Sequence, residues 1–84
     1  MSKLHEIKLL SEFADDVYAG RKSFEVRKND RDYRVGDTVR FRVIGNENAV
    51  NHPLNARLYE ITYVLSGWGI EDGFVVFGIK PVLS

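Results

Sequence analysis

The segment Thr38-Val-Arg-Phe-Arg-Val43 alternates apolar and charged side chains without a break, and this alternation constrains the fold more than any other feature of the sequence. Successive side chains of an extended strand point to opposite faces, so Val39, Phe41 and Val43 share one face while Arg40 and Arg42 share the other. The pattern predicts a half-buried strand. His5-Glu-Ile-Lys-Leu9 repeats it, with His5, Ile7 and Leu9 inward and Glu6 and Lys8 outward. Ser23-Phe-Glu-Val-Arg27 alternates again, and its apolar members direct Phe24 and Val26 to the core, with Ser23, Glu25 and Arg27 on the opposite face. Leu58–Leu65 and Phe74–Ile79 are rich in β-branched and aromatic residues and are bounded by the breaks Ser66-Gly-Trp-Gly and Asp72-Gly.

Only one stretch reads as a helix. Ser11 can cap it, Phe13 and Val17 stand four apart on one side, and Gly20 suits the left-handed position beyond Ala19. Asn29-Asp-Arg-Asp and Val35-Gly-Asp37 are turn chemistry, and the Asn-rich run from Gly45 to Asn55 predicts a mobile loop inside one domain. Short sequential strands of this kind close into a small barrel, which removes exposed sheet edges. The expected fold is therefore mainly β (α+β): a small barrel of about five to six strands with one short helix at its mouth.

At 84 residues the chain holds one core, so 1–84 is read as a single domain. Its 44% hydrophobic content, with ten aromatics, can fill that core without metal or disulfide. There is no cysteine, hence no disulfide framework and no thiol nucleophile. With no apolar run long enough to span a bilayer and no cleavable leader at MSKLHEIKLL, the expected location is the cytoplasm. His5 and His52 lack ligand spacing around them, so no metal is expected, nor any cofactor.

Net charge is zero, which speaks against coating nucleic acid by bulk electrostatics. The charge is unevenly spread, however. Between Arg21 and Arg42 stand eight basic residues against four acidic ones, so the remainder is acidic by the same margin. A local basic face on a neutral protein follows, or alternatively a solvated set of alternating charges.

Within that segment, Gly20-Arg-Lys-Ser-Phe-Glu-Val-Arg27 fits the pattern G-x-K-x-x-E-x-R at Gly20, Lys22, Glu25 and Arg27. The pattern resembles the signature of the ASCH (activating-signal-cointegrator homology) superfamily. The similarity extends from Leu4 to Ile79 through His5 and Lys8, the run Arg27-Lys-Asn-Asp-Arg31, the Val-Gly-Asp turn and the last strand. The resemblance implies a PUA-like barrel whose cleft holds RNA or a nucleoside. The expected binding residues are Lys8, Gly20, Lys22, Glu25, Arg27, Asn29, Arg31, Tyr33 and Trp68. Independently of the family, Lys22 and Arg27 offer cationic donors, and Glu25 can accept from the exocyclic amines of a base. Tyr33 and Trp68 are candidate stacking surfaces, although its place in a turn favours Tyr33 as a partly buried turn aromatic, and Trp68, between Gly67 and Gly69, is either a barrel plug or an exposed stacker. Strict alternation would bury the Lys22 ammonium beside Phe24 and Val26, so Lys22 is assigned to the turn, facing the cleft.

Some small ASCH relatives are amidohydrolases acting on acetylcytidine with a lysine, a threonine and a glutamate. Lys22 matches that lysine, but Glu25 stands where the threonine would be. Three readings are therefore carried forward: an RNA or nucleoside binder, a hydrolase with Lys22 and Glu25 as catalytic groups, and a protein-interaction module.

Overall fold

A computed structural model of the chain describes residues 2–83. The elements run β1 (Leu4–Leu10), α1 (Ser11–Tyr18), β2 (Phe24–Lys28), β3 (Thr38–Ile44), two 3-10 turns (Ala49–Asn51 and Pro53–Ala56), β4 (Leu58–Leu65) and β5 (Phe74–Pro81). All five strands belong to one sheet of order β1-β3-β4-β5-β2. β1 and β3 pair in parallel from Leu4↔Thr38 to Leu10↔Ile44, and the remaining pairs are antiparallel. The two edge strands are thus β1 and β2. The sheet curls into a half-open barrel that brings these edges together, and the Arg27 guanidinium of β2 donates to the Lys8 carbonyl of β1 across the seam.

The alternation read from the sequence fixes the interior of β1 and β3, and β5 proves to alternate as well. Ile7 and Leu9, then Val39, Phe41 and Val43, then Val75, Phe77 and Ile79 all point inward, joined by Tyr59 and Ile61 of β4. Phe41 and Phe77 are among the largest fully buried side chains, each contributing on the order of 1.5–3 kcal/mol by leaving water. Helix α1 closes one end through Ala14 and Val17, spaced three apart on one face.

Several expectations are corrected. Ser11 does not cap α1: the cap position is Leu10 with no side-chain bond, and the Ser11 hydroxyl instead accepts from the Asn46 amide at 3.1 Å. Phe13 lies on the rim of the helix rather than in the core, 40% exposed. Gly20 does adopt the left-handed conformation (φ +83), closing the helix with its N–H on the Val17 carbonyl.

The run from Gly45 to Asn55, expected to be a mobile loop, is built. Its two 3-10 turns bury Ala49 and Leu54, and the Asn55 side chain accepts from the Val43 N–H at 2.8 Å while donating to the Ala49 carbonyl at 2.8 Å. His52 ties the second turn to the helix, accepting from the Leu54 N–H and meeting Asp15 at 2.8 Å.

The largest correction concerns β2, whose faces are the reverse of those expected. Glu25 points inward and is 3% exposed, whereas Phe24 and Val26 are 45% and 53% exposed. Burying a lone carboxylate would cost several kcal/mol. Here two cations accompany it, which makes the inverted facing tenable.

Candidate functional site

The site forms where the seam between β1 and β2 meets α1. Glu25 lies at its floor. One carboxylate oxygen accepts from the Lys22 ammonium and the other from the Arg27 guanidinium at 3.0 Å. Lys22 precedes β2, as expected of a turn residue, and also donates to the Phe24 carbonyl at 2.8 Å. Both cations therefore do double work: each neutralises Glu25 and each satisfies a carbonyl on an edge strand that has no neighbouring strand to pair it, Phe24 on β2 and Lys8 on β1. No buried side-chain nitrogen or oxygen among the described residues is left without a partner.

Around this trio the walls are apolar. A cavity of about 370 Å³ is lined by Leu9, Leu10, Phe13 and Val26 together with Lys8, Lys22, Glu25 and Arg27. The Lys22 ammonium sits 5.0 Å from the ring centre of Phe24 and 5.7 Å from that of Phe13, within cation–π range. A second cavity of about 560 Å³ lies on the other side of Arg27, where Lys8, Arg27, Lys28, Arg31 and Arg42 gather with Glu6 and Asp30. Lys8 and Arg27 line both, so the two cavities are lobes of one groove divided by the guanidinium that crosses the seam.

The expected site residues separate accordingly. Lys8, Lys22, Glu25, Arg27 and Arg31 come together in the groove, and Gly20 serves as the hinge that ends α1 ahead of Lys22. Asn29 acts on the backbone, its side-chain oxygen accepting from the Tyr33 N–H at 3.2 Å. Tyr33 contributes to the second lobe but is buried, with ring centres at 4.8 Å from His5 and 4.7 Å from Phe77, so its faces are already covered. Burial pushes the Tyr33 hydroxyl above its ordinary 10.0, against the opposing influence of Arg27 and Arg31 nearby. Trp68 lines neither lobe: it stands 91% exposed in the β4–β5 hairpin with φ +55, between Gly67 and Gly69, which also have positive φ.

Phe13, Val26 and Arg42 are among the groove residues that escaped the sequence reading. Only Arg42 had a usable signal, since it shares the outward parity of Lys8 and the register sets the two side by side across the β1–β3 ladder. Outside the groove, a buried pair was also missed. His5 Nε2 and Asp37 Oδ2 meet at 2.7 Å, both residues about 95% buried, and Asp37 also accepts from the backbone N–H groups of Lys3 and Arg34. Among the described residues no group of three or more His, Cys, Asp or Glu side chains is arranged to hold a metal ion, and no helix is long and apolar enough to cross a membrane.

Comparison with known proteins places this geometry in a family. The model of the Domain of unknown function (DUF3850) matches residues 4–79, from the first residue of β1 to near the end of β5. The chain belongs to the DUF3850 family. The chain is also similar to the uncharacterised 12.9 kDa protein in the GpA 3′ region of Escherichia phage P2, with 38% identity over 72 residues. That match covers 86% of this chain and 64% of the phage protein, so the chain spans just under two thirds of that relative's length.

Proposed function

We propose that this DUF3850 chain is an RNA-binding or modified-nucleoside-binding domain of ASCH, PUA-like type, acting in the cytoplasm and reading a base in the apolar lobe of the groove. The observation that carries the reading is the buried Glu25 carboxylate, held by Lys22 and Arg27 at the floor of a cavity with apolar walls. Such a cavity suits a flat aromatic ligand, whose faces pack on Leu10, Phe13 and Val26 while its edge meets the charged trio.

The trio has capacity to spare. A carboxylate offers about four lone-pair sites and Glu25 uses two; an ammonium has three donors and Lys22 uses two; a guanidinium has five and Arg27 uses two. Each group can therefore address a base edge without releasing its present partner. This supports a reader more than a hydrolase. The position at which related hydrolases carry a hydroxyl is Glu25, and the nearby Ser23 is exposed and lines neither lobe.

The test is native mass spectrometry of the purified chain with the four ribonucleosides, acetylcytidine and short RNAs. Retained, unaltered ligand is expected, and Glu25→Gln or Lys22→Ala should weaken it at least about tenfold while unfolding stays cooperative. Unchanged affinity in a folded Glu25→Gln variant would remove Glu25 from recognition. Acetate released from acetylcytidine would replace the reading with the amidohydrolase.

A further inference from the structure

The basic lobe has no part in reading a base edge, yet it is the more strongly charged half of the groove. Its cations differ from most others in the chain. Lys3 and Arg34 pair with Asp32, Arg21 with Asp16, and Lys22 and Arg27 with Glu25. Among the described residues, Lys8, Lys28, Arg31 and Arg42 have no carboxylate within 4.0 Å, although Glu6 and Asp30 line the same lobe. Four unpaired cations from β1, β2, β3 and the turn after β2 thus converge on one cavity.

The register sharpens the point. Lys8 and Arg42 are direct partners in the parallel β1–β3 ladder and project to the same face, a like-charge arrangement that destabilises a sheet unless an anion lies between them. The two carboxylates of the lobe, Glu6 and Asp30, come within 4.0 Å of neither cation, so no ion pair within the described residues takes up this charge. A cavity walled by low-dielectric protein and lined by such charges concentrates anions.

We infer that the basic lobe is a phosphate subsite, so that the groove takes a nucleotide or the equivalent unit of an RNA strand in preference to a free nucleoside. The inference rests on the function proposed above: it places the base in the apolar lobe and the phosphate beyond Arg27, between Lys8 and Arg42 on one side and Lys28 and Arg31 on the other. Arg27 stands at the junction. It lines both lobes and has N–H donors beyond the two already used, and its fork geometry suits a phosphate oxygen pair.

The experiment is isothermal titration of the intact chain with each ribonucleoside, its 3′- and 5′-monophosphates and an RNA tetranucleotide, at low and moderate salt. A monophosphate should bind at least about tenfold more tightly than its own nucleoside at low salt, and this advantage should shrink as salt is added. The Lys28→Gln/Arg42→Gln double variant should lose the advantage while keeping nucleoside affinity, because both side chains are exposed and line only the basic lobe, not the one that holds Glu25. A further gain for the tetranucleotide assigns the phosphate to an RNA backbone; equal affinity for monophosphate and tetranucleotide assigns it to a monomer, and either result supports the subsite. Wild-type affinities equal for nucleoside and monophosphate would overturn the inference and leave the base-reading site standing. No binding by nucleosides, nucleotides or RNA would overturn both.

Discussion

Glu25 and Asp37 are carboxylates buried to the same degree and satisfied by different means. Glu25 relies on two side-chain cations that reach in from the seam, so its neighbours remain addressable from solvent. Asp37 is enclosed: it takes one ring nitrogen of His5 and two backbone N–H groups, and it pins the turn before β3 against β1. For Asp37, burial alone would raise the pKa, but the hydrogen bonds from His5, Lys3 and Arg34 outweigh it and hold the carboxyl below its ordinary 3.8. The sign of the pH effect follows. Below 3.8 the unfolded chain binds the proton more readily than the folded one, so Asp37's contribution is complete above that value and is lost as pH falls through the depressed folded pKa. Asp37→Asn should therefore cost about 2–3 kcal/mol at pH 7 and flatten the fall in stability below about pH 4. Urea unfolding at pH 7 and pH 3 measures both effects; an equally steep acid limb in the variant would assign that limb to another group.

The individual elements differ in how openly the sequence announced them. β1 and β3 were legible because Ile7 and Leu9, like Val39, Phe41 and Val43, share one face while Glu6 and Lys8, like Arg40 and Arg42, share the other, leaving a single choice of which side to bury. β2 carries the same period, so its existence was legible, but its facing was not. Alternation defines two faces, and the apolar one was assigned inward; what reversed the choice is a local set of charges, Lys22 and Arg27 flanking Glu25, which makes the carboxylate the better-satisfied residue inside. The motif identified the three residues without showing that they bond to one another. The loop after β3 was misjudged for the opposite reason. Its asparagines suggested solvent, whereas Asn55 spends its side chain on backbone groups that the 3-10 turns leave open. Asn55→Ala should accordingly cost about 1–2 kcal/mol, seen as a lower urea midpoint with unchanged slope. A variant of unaltered stability would mean that Ala49 and Leu54 hold the turns alone. Phe13 was not legible as a groove residue, since it meets the motif only through the packing of α1, and Arg42 showed only its outward parity, since the β1–β3 register that sets it beside Lys8 is not written in the sequence.

At the scale of the whole molecule, the crossing of α1 and β2 between two parallel strands sends the chain's neighbouring segments to opposite ends of one sheet. The sheet has two bare edges, and the curl turns them toward each other, with Arg27 as the bolt. That closure also bears on how copies of the chain meet. An uncovered edge strand invites pairing with the edge of another molecule, and sheet proteins must prevent it. We expect Arg27, by tying the two edges together, to guard the chain against pairing with its own copies. Arg27→Ala should then show a concentration-dependent defect, with larger species growing in light scattering as protein concentration rises and the far-ultraviolet circular dichroism of the monomer little altered. A variant that stays monomeric at every concentration would show that the curl alone keeps the edges apart. The same side chain that closes the seam within one molecule would then be what keeps the protein solitary in a crowded solution.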